Sequence, residues 1–269
     1  MSGAGGVTLL FLGDLYGPEG LRALKRRLPD LIQRWGADFT VVNAENAAAG
    51  YGITPEIASE VLAAGAGCIT TGNHAFDKRE IKEYFDTEPR ILRPLNYPPG
   101  CPGNGLYVGR TEEGLPVAVL QVMGRVHMGQ TLDCPFRASD AALASIGSRA
   151  RIVLVDVHAE VGSEKAALGW HLDGRVSAVI GTHTHVPTAD ERILPAGTAF
   201  ITDAGMIGVR DSVIGADRHA ALRRFLTQMP GRLPAAGGDA RIEGVVLRVD
   251  ETTGHALSIE RVAAPEAPQ

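Results

Sequence analysis

Gly181-Thr182-His183-Thr184-His185 places two imidazoles two residues apart, directly after Val176 to Ile180, a run that reads as a buried strand. Residues i and i+2 of an extended strand share a face, so the two rings project together if the strand continues through them. A bend at the strand end would instead let them reach adjacent ions. Neutral imidazole is the commonest nitrogen ligand for zinc, iron and manganese, and a same-side pair makes half of a metal site. Taken alone, the pair is equally well explained as a solvent-exposed polar turn.

The elements that must position such residues can be followed in chain order. Val7 to Leu12 is continuously apolar, as in a strand covered on both faces, and stops at Gly13-Asp14. Pro18 and Glu19 open a segment with Leu21, Leu24, Leu28 and Leu31 at helical spacing, and Asp38 to Asn43 gives a second strand whose end delivers Glu45 and Asn46. Thr54-Pro55-Glu56 has the hydroxyl cap and first-turn proline of a helix start, with Ile57, Val61 and Leu62 along one face. Cys68 to Thr71 is a third strand, ending in Gly72-Asn73-His74. A short charged helix is expected over Lys78 to Phe85, an ordered proline-rich loop over Pro89 to Pro102, paired strands over Leu106 to Arg110 and Val117 to Val122, and a helix over Ser139 to Ile146. Arg151 to Val157 forms another buried strand and ends at His158; a helix follows around Lys165 to Leu168. Thr198 to Thr202 ends at Asp203, and Ile242 to Val249 with His255 to Val262 alternates like an antiparallel hairpin.

A chain of 269 residues, 45% hydrophobic and 21% charged, can bury a sizeable core, and one domain over 1–269 is expected, with 1–6 and 264–269 as flexible ends. The balance of 26 basic against 31 acidic residues, net −5, offers no footprint for extended nucleic acid or an anionic membrane. A small phosphorylated ligand fits, because a metal supplies its own positive charge. Cys68, Cys101 and Cys134 are too scattered for a disulfide framework or a thiolate zinc site and read as free thiols. With no apolar stretch of bilayer length and no basic n-region, a cytoplasmic location is expected.

Strand after strand thus terminates in a residue able to ligate metal: Asp14, Glu45 with Asn46, Asn73 with His74, His158, and His183 with His185. In an open α/β sheet, ligands collect beyond the carboxyl ends of parallel strands, where these residues would converge. Their oxygen and nitrogen atoms are too many for one tetrahedral ion. Two ions about 3.5–4 Å apart, sharing a carboxylate, would use them all.

Gly13-Asp14, Asn43-Ala44-Glu45-Asn46, Gly72-Asn73-His74, His158 and Gly181 to His185 resemble the five motif blocks of the calcineurin-like metallophosphoesterases. The likeness is closer to the YmdB-like branch over Asn43 to Ala48, Thr71 to Asp77, His158 to Trp170 and Gly181 to Asp190. It covers the chain from about Val7 to Val262. The broad superfamily usually has Asp-x-His in the first block and Asp as the bridging carboxylate. Here those positions hold Asp14-Leu15-Tyr16 and Glu45, both typical of this branch.

The resemblance implies a four-layer α/β/β/α sandwich with the metal site at the carboxyl ends of the strands. It implies that Asp14, Glu45, Asn46 and His185 hold one ion and that Glu45, Asn73, His158 and His183 hold the other. The thiolate-free shell suits two ions, iron first and manganese second, with zinc compatible. The branch is associated with 2′,3′-cyclic nucleotide hydrolysis, in which water activated between the ions attacks phosphorus and His74 protonates the leaving oxygen. A small cyclic nucleotide is therefore the expected substrate, and the family often forms homo-oligomers.

Other residues carry weaker expectations. Arg125, after Gly124, could contact a substrate phosphate. Asp77 reads as a cap for the next helix rather than an orienter of His74, and Glu160, Glu164 and Lys165 as helix-surface pairs. Trp170 reads as core but is also a base-stacking candidate, while His127, His171, His219 and His255 read as surface or structural. The run Arg22, Lys25, Arg26 and Arg27 reads as a solvated helix face. Competing readings are a phosphomonoesterase or protein phosphatase using the same site, and a regulatory RNA-interacting protein with little turnover.

Overall fold

The continuous apolar runs arise because two sheets stand back to back with helices outside each. The computed structural model describes residues 6–266. In order, its elements are β1 (Gly6–Leu12), β2 (Asp14–Leu15), α1 (Gly17–Trp35), β3 (Phe39–Asn43), α2 (Pro55–Ala63), β4 (Cys68–Thr70), α3 (Ile81–Thr87), β5 (Ile91–Leu92), β6 (Leu106–Arg110), β7 (Pro116–Met123), α4 (Pro135–Ile146), β8 (Ile152–His158), α5 (Gly162–Leu172), β9 (Ala178–Thr182), β10 (Arg192–Ile193), β11 (Ala199–Ile201), β12 (Met206–Val209), α6 (Arg218–Thr227), β13 (Ala240–Asp250) and β14 (Ala256–Pro265). The first sheet runs β2-β12-β13-β1-β3-β4-β5, with β14 also on β13, and the second runs β10-β11-β9-β8-β7-β6.

Each central strand serves two cores. Leu10 and Leu12 of β1 face the helices α1 and α2, whereas Val7, Leu9 and Phe11 face the second sheet. On β8, Ile152 and Leu154 join the core between the sheets, and Val153, Val155 and Val157 join the outer core beneath the second pair of helices. This is the α/β/β/α sandwich implied by the motif resemblance. Strands β1, β3, β4 and β5 are parallel, as are β7, β8, β9 and β11, so their carboxyl ends bring the polar residues to one rim.

Several element boundaries differ from the sequence-based expectation. Helix α4 starts at Pro135 rather than Ser139, because proline is favoured in a first helical turn. Helix α3 starts at Ile81, since residues 74–80 are spent in turns around the His74 loop. Neither β12 nor α6 was expected; α6 lacks a buried stripe, having only Ala221 buried. The loop over Pro89 to Pro102 is ordered around Arg93, whose guanidinium donates to the carbonyls of Pro94 (2.9 Å), Leu95 (3.3 Å) and Pro102 (3.3 Å). Gly6 and residues Ala264 to Glu266, expected to be flexible, are held: Gly6 opens β1, β14 runs to Pro265, and the Glu266 amide donates to the Ala240 carbonyl at 3.0 Å. Residues 1–5 and 267–269 lie outside the described residues. No described helix is long and apolar enough to cross a membrane.

Candidate metal centre

Glycines and buried amides set the strand ends before any ligand is placed. A Cβ at Gly72 would overlap Glu45 Oε2 and His158 Nε2, so only glycine lets the turn after β4 run beneath those two groups. Asn43, at the end of β3, donates from Nδ2 to the Thr71 carbonyl and to Asp156 Oδ2, both at 3.0 Å, while its Oδ1 accepts from the Glu45 amide at 3.2 Å. Gln121 of β7 is paired with the Thr71 backbone through both ends of its amide. These bonds fasten the first sheet to the second directly below the ligand residues.

The seven expected ligand residues come together. Glu45 Oε1 lies 3.0 Å from His158 Nε2 and 4.0 Å from His183 Nδ1, and it accepts from Asn46 Nδ2 at 3.1 Å. His158 Nε2 is also 3.0 Å from Asn73 Oδ1 and 3.1 Å from His183 Nδ1. On the other side, Asp14 Oδ2 accepts from the His183 amide at 3.1 Å and lies 3.2 Å from His185 Nε2, which in turn is 3.0 Å from Asn46 Nδ2. The carboxylates and imidazoles form two groups, Glu45 with His158 and His183, and Asp14 with Glu45 and His185. Glu45 belongs to both.

The surrounding hydrogen bonds fix which ring nitrogen each histidine presents. Thr182 Oγ1 donates to Asp156 Oδ1 (2.7 Å), so His158 Nδ1, 2.8 Å from the same hydroxyl, must be the donor and Nε2 faces the cluster as a lone pair. His185 Nδ1 donates to the Ile214 carbonyl at 2.8 Å and likewise presents Nε2. His183 is reversed: its Nε2 faces Glu160 Oε2 at 3.1 Å and its Nδ1 faces inward. Carboxylate, hydroxyl and carbonyl partners of this kind orient imidazoles around metals. The inward atoms are nearly all acceptors, and Asp14 Oδ1 is buried with no hydrogen-bond partner among the described residues. Cations suit such a donor set, because lone pairs packed within 3–4 Å need a positive charge between them.

Electrostatics agree. Burial alone would raise the Glu45 carboxyl, but His158, His74 and His183 outweigh it and hold it at about 2. Burial and the charge of His158 push His183 down to about 4. For His185 burial acts downward too, yet the hydrogen bond and charge of Asp14 raise it to about 9. Protons here are shared among the groups that would share an ion.

The loop carrying His183 and His185 is held in an unusual backbone shape. Both residues have left-handed φ, 95° and 61°. Between them, Thr184 donates from its amide (3.1 Å) and its hydroxyl (2.6 Å) to Asp203 Oδ2, which also receives Lys165 Nζ at 2.9 Å. Lys165 and Asp203 are 1% and 0% exposed, so Lys165 is not the helix-surface residue expected from its place in α5. Glu164 is not a surface pair either: it accepts from the amides of Arg125 and Val126. Glu160 is not a helix-surface residue, because it precedes α5 and its carboxylate reaches His183.

His74 stands at the mouth. Its amide donates to Glu45 Oε2 at 3.2 Å and its Nδ1 lies 2.7 Å from Asp77 Oδ2. Asp77 therefore orients His74 and does not cap α3, which begins four residues later. Arg125 is not among the residues lining the cavity above the cluster, whereas Arg224 of α6 is. Trp170, expected in the core, is 54% exposed under the Arg192 guanidinium and lies outside that cavity. The basic run on α1 is a solvated face at Arg22, Lys25 and Arg26, with Arg22 and Lys25 meeting Glu266 and Glu60, whereas Arg27 is buried against the Pro265 carbonyl. Tyr16 stands where the superfamily has its usual histidine and packs edge-on to His185, ring centroids 5.6 Å apart.

Comparison with known proteins agrees with this geometry. The family described as YmdB-like protein matches residues 10–262. The chain is 44% identical over 256 residues to the 2′,3′-cyclic-nucleotide 2′-phosphodiesterase of Bacillus subtilis (strain 168), a match covering 95% of this chain and 96% of that protein. A crystal structure of a hypothetical protein from Thermus thermophilus superposes with a TM-score of 0.90 at 42% identity, covering 97% of this chain and all of the other. A phosphatase structure from Mycoplasma pneumoniae gives a TM-score of 0.91 at 31% identity, covering 97% and 94%. The chain belongs to the YmdB-like family of calcineurin-like metallophosphoesterases.

Proposed function

We propose that this chain is a binuclear metal-dependent phosphodiesterase that opens 2′,3′-cyclic nucleotides. The observation that carries the reading is the Glu45 carboxylate, common to both groups of ligand-type residues. Asp14, Glu45, Asn46 and His185 would hold one ion, and Glu45, Asn73, His158 and His183 the other, with iron the first candidate and manganese the second. Asn46 faces Glu45 and His185 with its amide nitrogen, so binding an ion through oxygen requires the amide to turn over. Two cations bound there would activate water and neutralise the charge developing on the phosphoryl oxygens.

The chain's own residues supply the rest. The water gives up a proton to solvent as its oxygen adds to phosphorus, the P–O2′ bond breaks, and the 2′ oxygen must gain a proton. His74, with Nδ1 donating to Asp77, has Nε2 free to deliver that proton and afterwards recovers one from solvent. The name of the Bacillus subtilis relative supports both the substrate class and the bond broken.

The test is elemental analysis of protein purified without added metal, with 2′,3′-cAMP hydrolysis measured before and after reloading with iron or manganese. About two ions per chain, activity that follows them, and a loss of about 10²–10⁴-fold in His74→Ala are expected. Loaded protein that leaves 2′,3′-cAMP intact while hydrolysing p-nitrophenyl phosphate would replace this reading with a phosphomonoesterase.

A further inference from the structure

The ligand cluster lines only part of a cavity of about 700 Å³, and much of the remaining lining is apolar. Tyr51 stands at the metal-side edge, its ring 5.2 Å from that of His74 and edge-on at 85°. Ile214, whose carbonyl accepts from His185 Nδ1, lines the same cavity with Leu233 and with Phe225 of α6. Phe225 is 71% exposed and Ile214 is 52% exposed, so these groups are covered by nothing within the described chain although they border a polar site. Arg224, one residue before Phe225, lines the same cavity.

A phosphate seated at the ligand cluster leaves the remainder of its ester in this space, which is of small-ligand size. Two aromatic rings with a nearby guanidinium suit a planar group that is apolar on its faces and hydrogen-bonding at its edges. A nucleobase has that form, and base–aromatic stacking is sequence-tolerant because every base has a π-face. A sugar phosphate or phosphoserine side chain would leave the rings in water.

We propose that Tyr51, Ile214 and Phe225 form a nucleobase subsite, with Arg224 donating to the edge of the base. This deepens the phosphodiesterase reading and rests on it for the chemistry at the phosphate. The subsite makes the enzyme prefer cyclic phosphates that carry a base over those that do not, and Phe225 and Arg224 bring part of that preference from α6.

The experiment compares metal-loaded full-length protein on 2′,3′-cAMP and on glycerol 1,2-cyclic phosphate, which keeps the strained ring and lacks the base. Wild type should prefer the nucleotide. Phe225→Ala should lower that preference about tenfold through a higher KM for 2′,3′-cAMP, and Phe225→Tyr should restore it. Equal loss on both substrates, or a changed oligomeric state on size exclusion with no change in preference, would overturn the subsite and assign the face to packing. If loaded wild type opens neither ester, the reaction reading fails on its own. Equilibrium binding of adenosine 3′-phosphate then decides the subsite: weaker binding by Phe225→Ala keeps it, and undiminished binding overturns it.

Discussion

On the ligand side of the cavity nearly every polar side chain is tied to a second buried group, whereas on the α6 side Leu222, Phe225 and Leu226 stand 52%, 71% and 82% exposed. The first wall is built from strand ends over a floor of Asn43, Gln121, Asp156 and Thr182 that joins both sheets. The second rests on a ten-residue helix with one buried residue. Chemistry at phosphorus tolerates little displacement of its groups, and a wall over-determined by hydrogen bonds supplies that precision. Contact with the rest of an ester needs only area and adaptability, which exposed side chains on a lightly anchored helix provide.

The contrast can be broken first at Lys165. Lys165→Met leaves Asp203 buried without its cation and should cost about 3–5 kcal/mol in denaturant unfolding, whereas Lys165→Met combined with Asp203→Leu should recover much of it. A smaller loss in the single variant would mean that the wall is not over-determined. Next, Thr182→Val removes the hydroxyl linking Asp156 to His158. It should weaken metal binding about 10–100-fold by chelator competition while the protein stays folded.

Metal-stripped protein offers a finer probe by NMR titration. His185 should keep its proton up to about 9 and His183 should lose its own near 4, although they are two residues apart. For His185, whose folded value lies above the ordinary 6.5, the associated stability is complete below 6.5 and lost as pH rises through 9. Loading with zinc should abolish both titrations. The smallest effect belongs to the exposed face of α6: Leu226→Gln should change unfolding stability by less than about 0.5 kcal/mol. A larger loss would show that this face is covered in solution.

The seven polar residues that the structure gathers at the strand ends were legible because each interrupts an apolar run where a buried strand must stop. The sandwich itself was implied by the motif resemblance, whereas the two-sided burial of strands such as Val7 to Leu12 was legible in their lack of alternation. Lys165 was not, because a lysine in a helix with charged neighbours reads as surface until tertiary packing encloses it. Asp156 offered a signal that went unused: a lone carboxylate inside Ile152 to His158, raised to about 6 by burial, is costly without partners, and those partners prove to be the floor under the site. Helix α6 was invisible for the opposite reason. Its apolar residues face the cavity or solvent, so no buried stripe marks it.

One pairing bears on the order in which the protein is made. Strand β1 lies between β3 and β13, and Gly6 to Leu12 pair with Asp250 to Gly244. The strands that carry Glu45, His158 and His183 have their neighbours synthesised by Ile201, but the partner that closes β1 just ahead of Asp14 lies downstream of all of them. A nascent chain can therefore gather one half of the ligand set well before the other. The surroundings of Asp14 are thus complete only when the β13–β14 hairpin docks against β1, long after the strands that carry Glu45, His158 and His183 have found their neighbours.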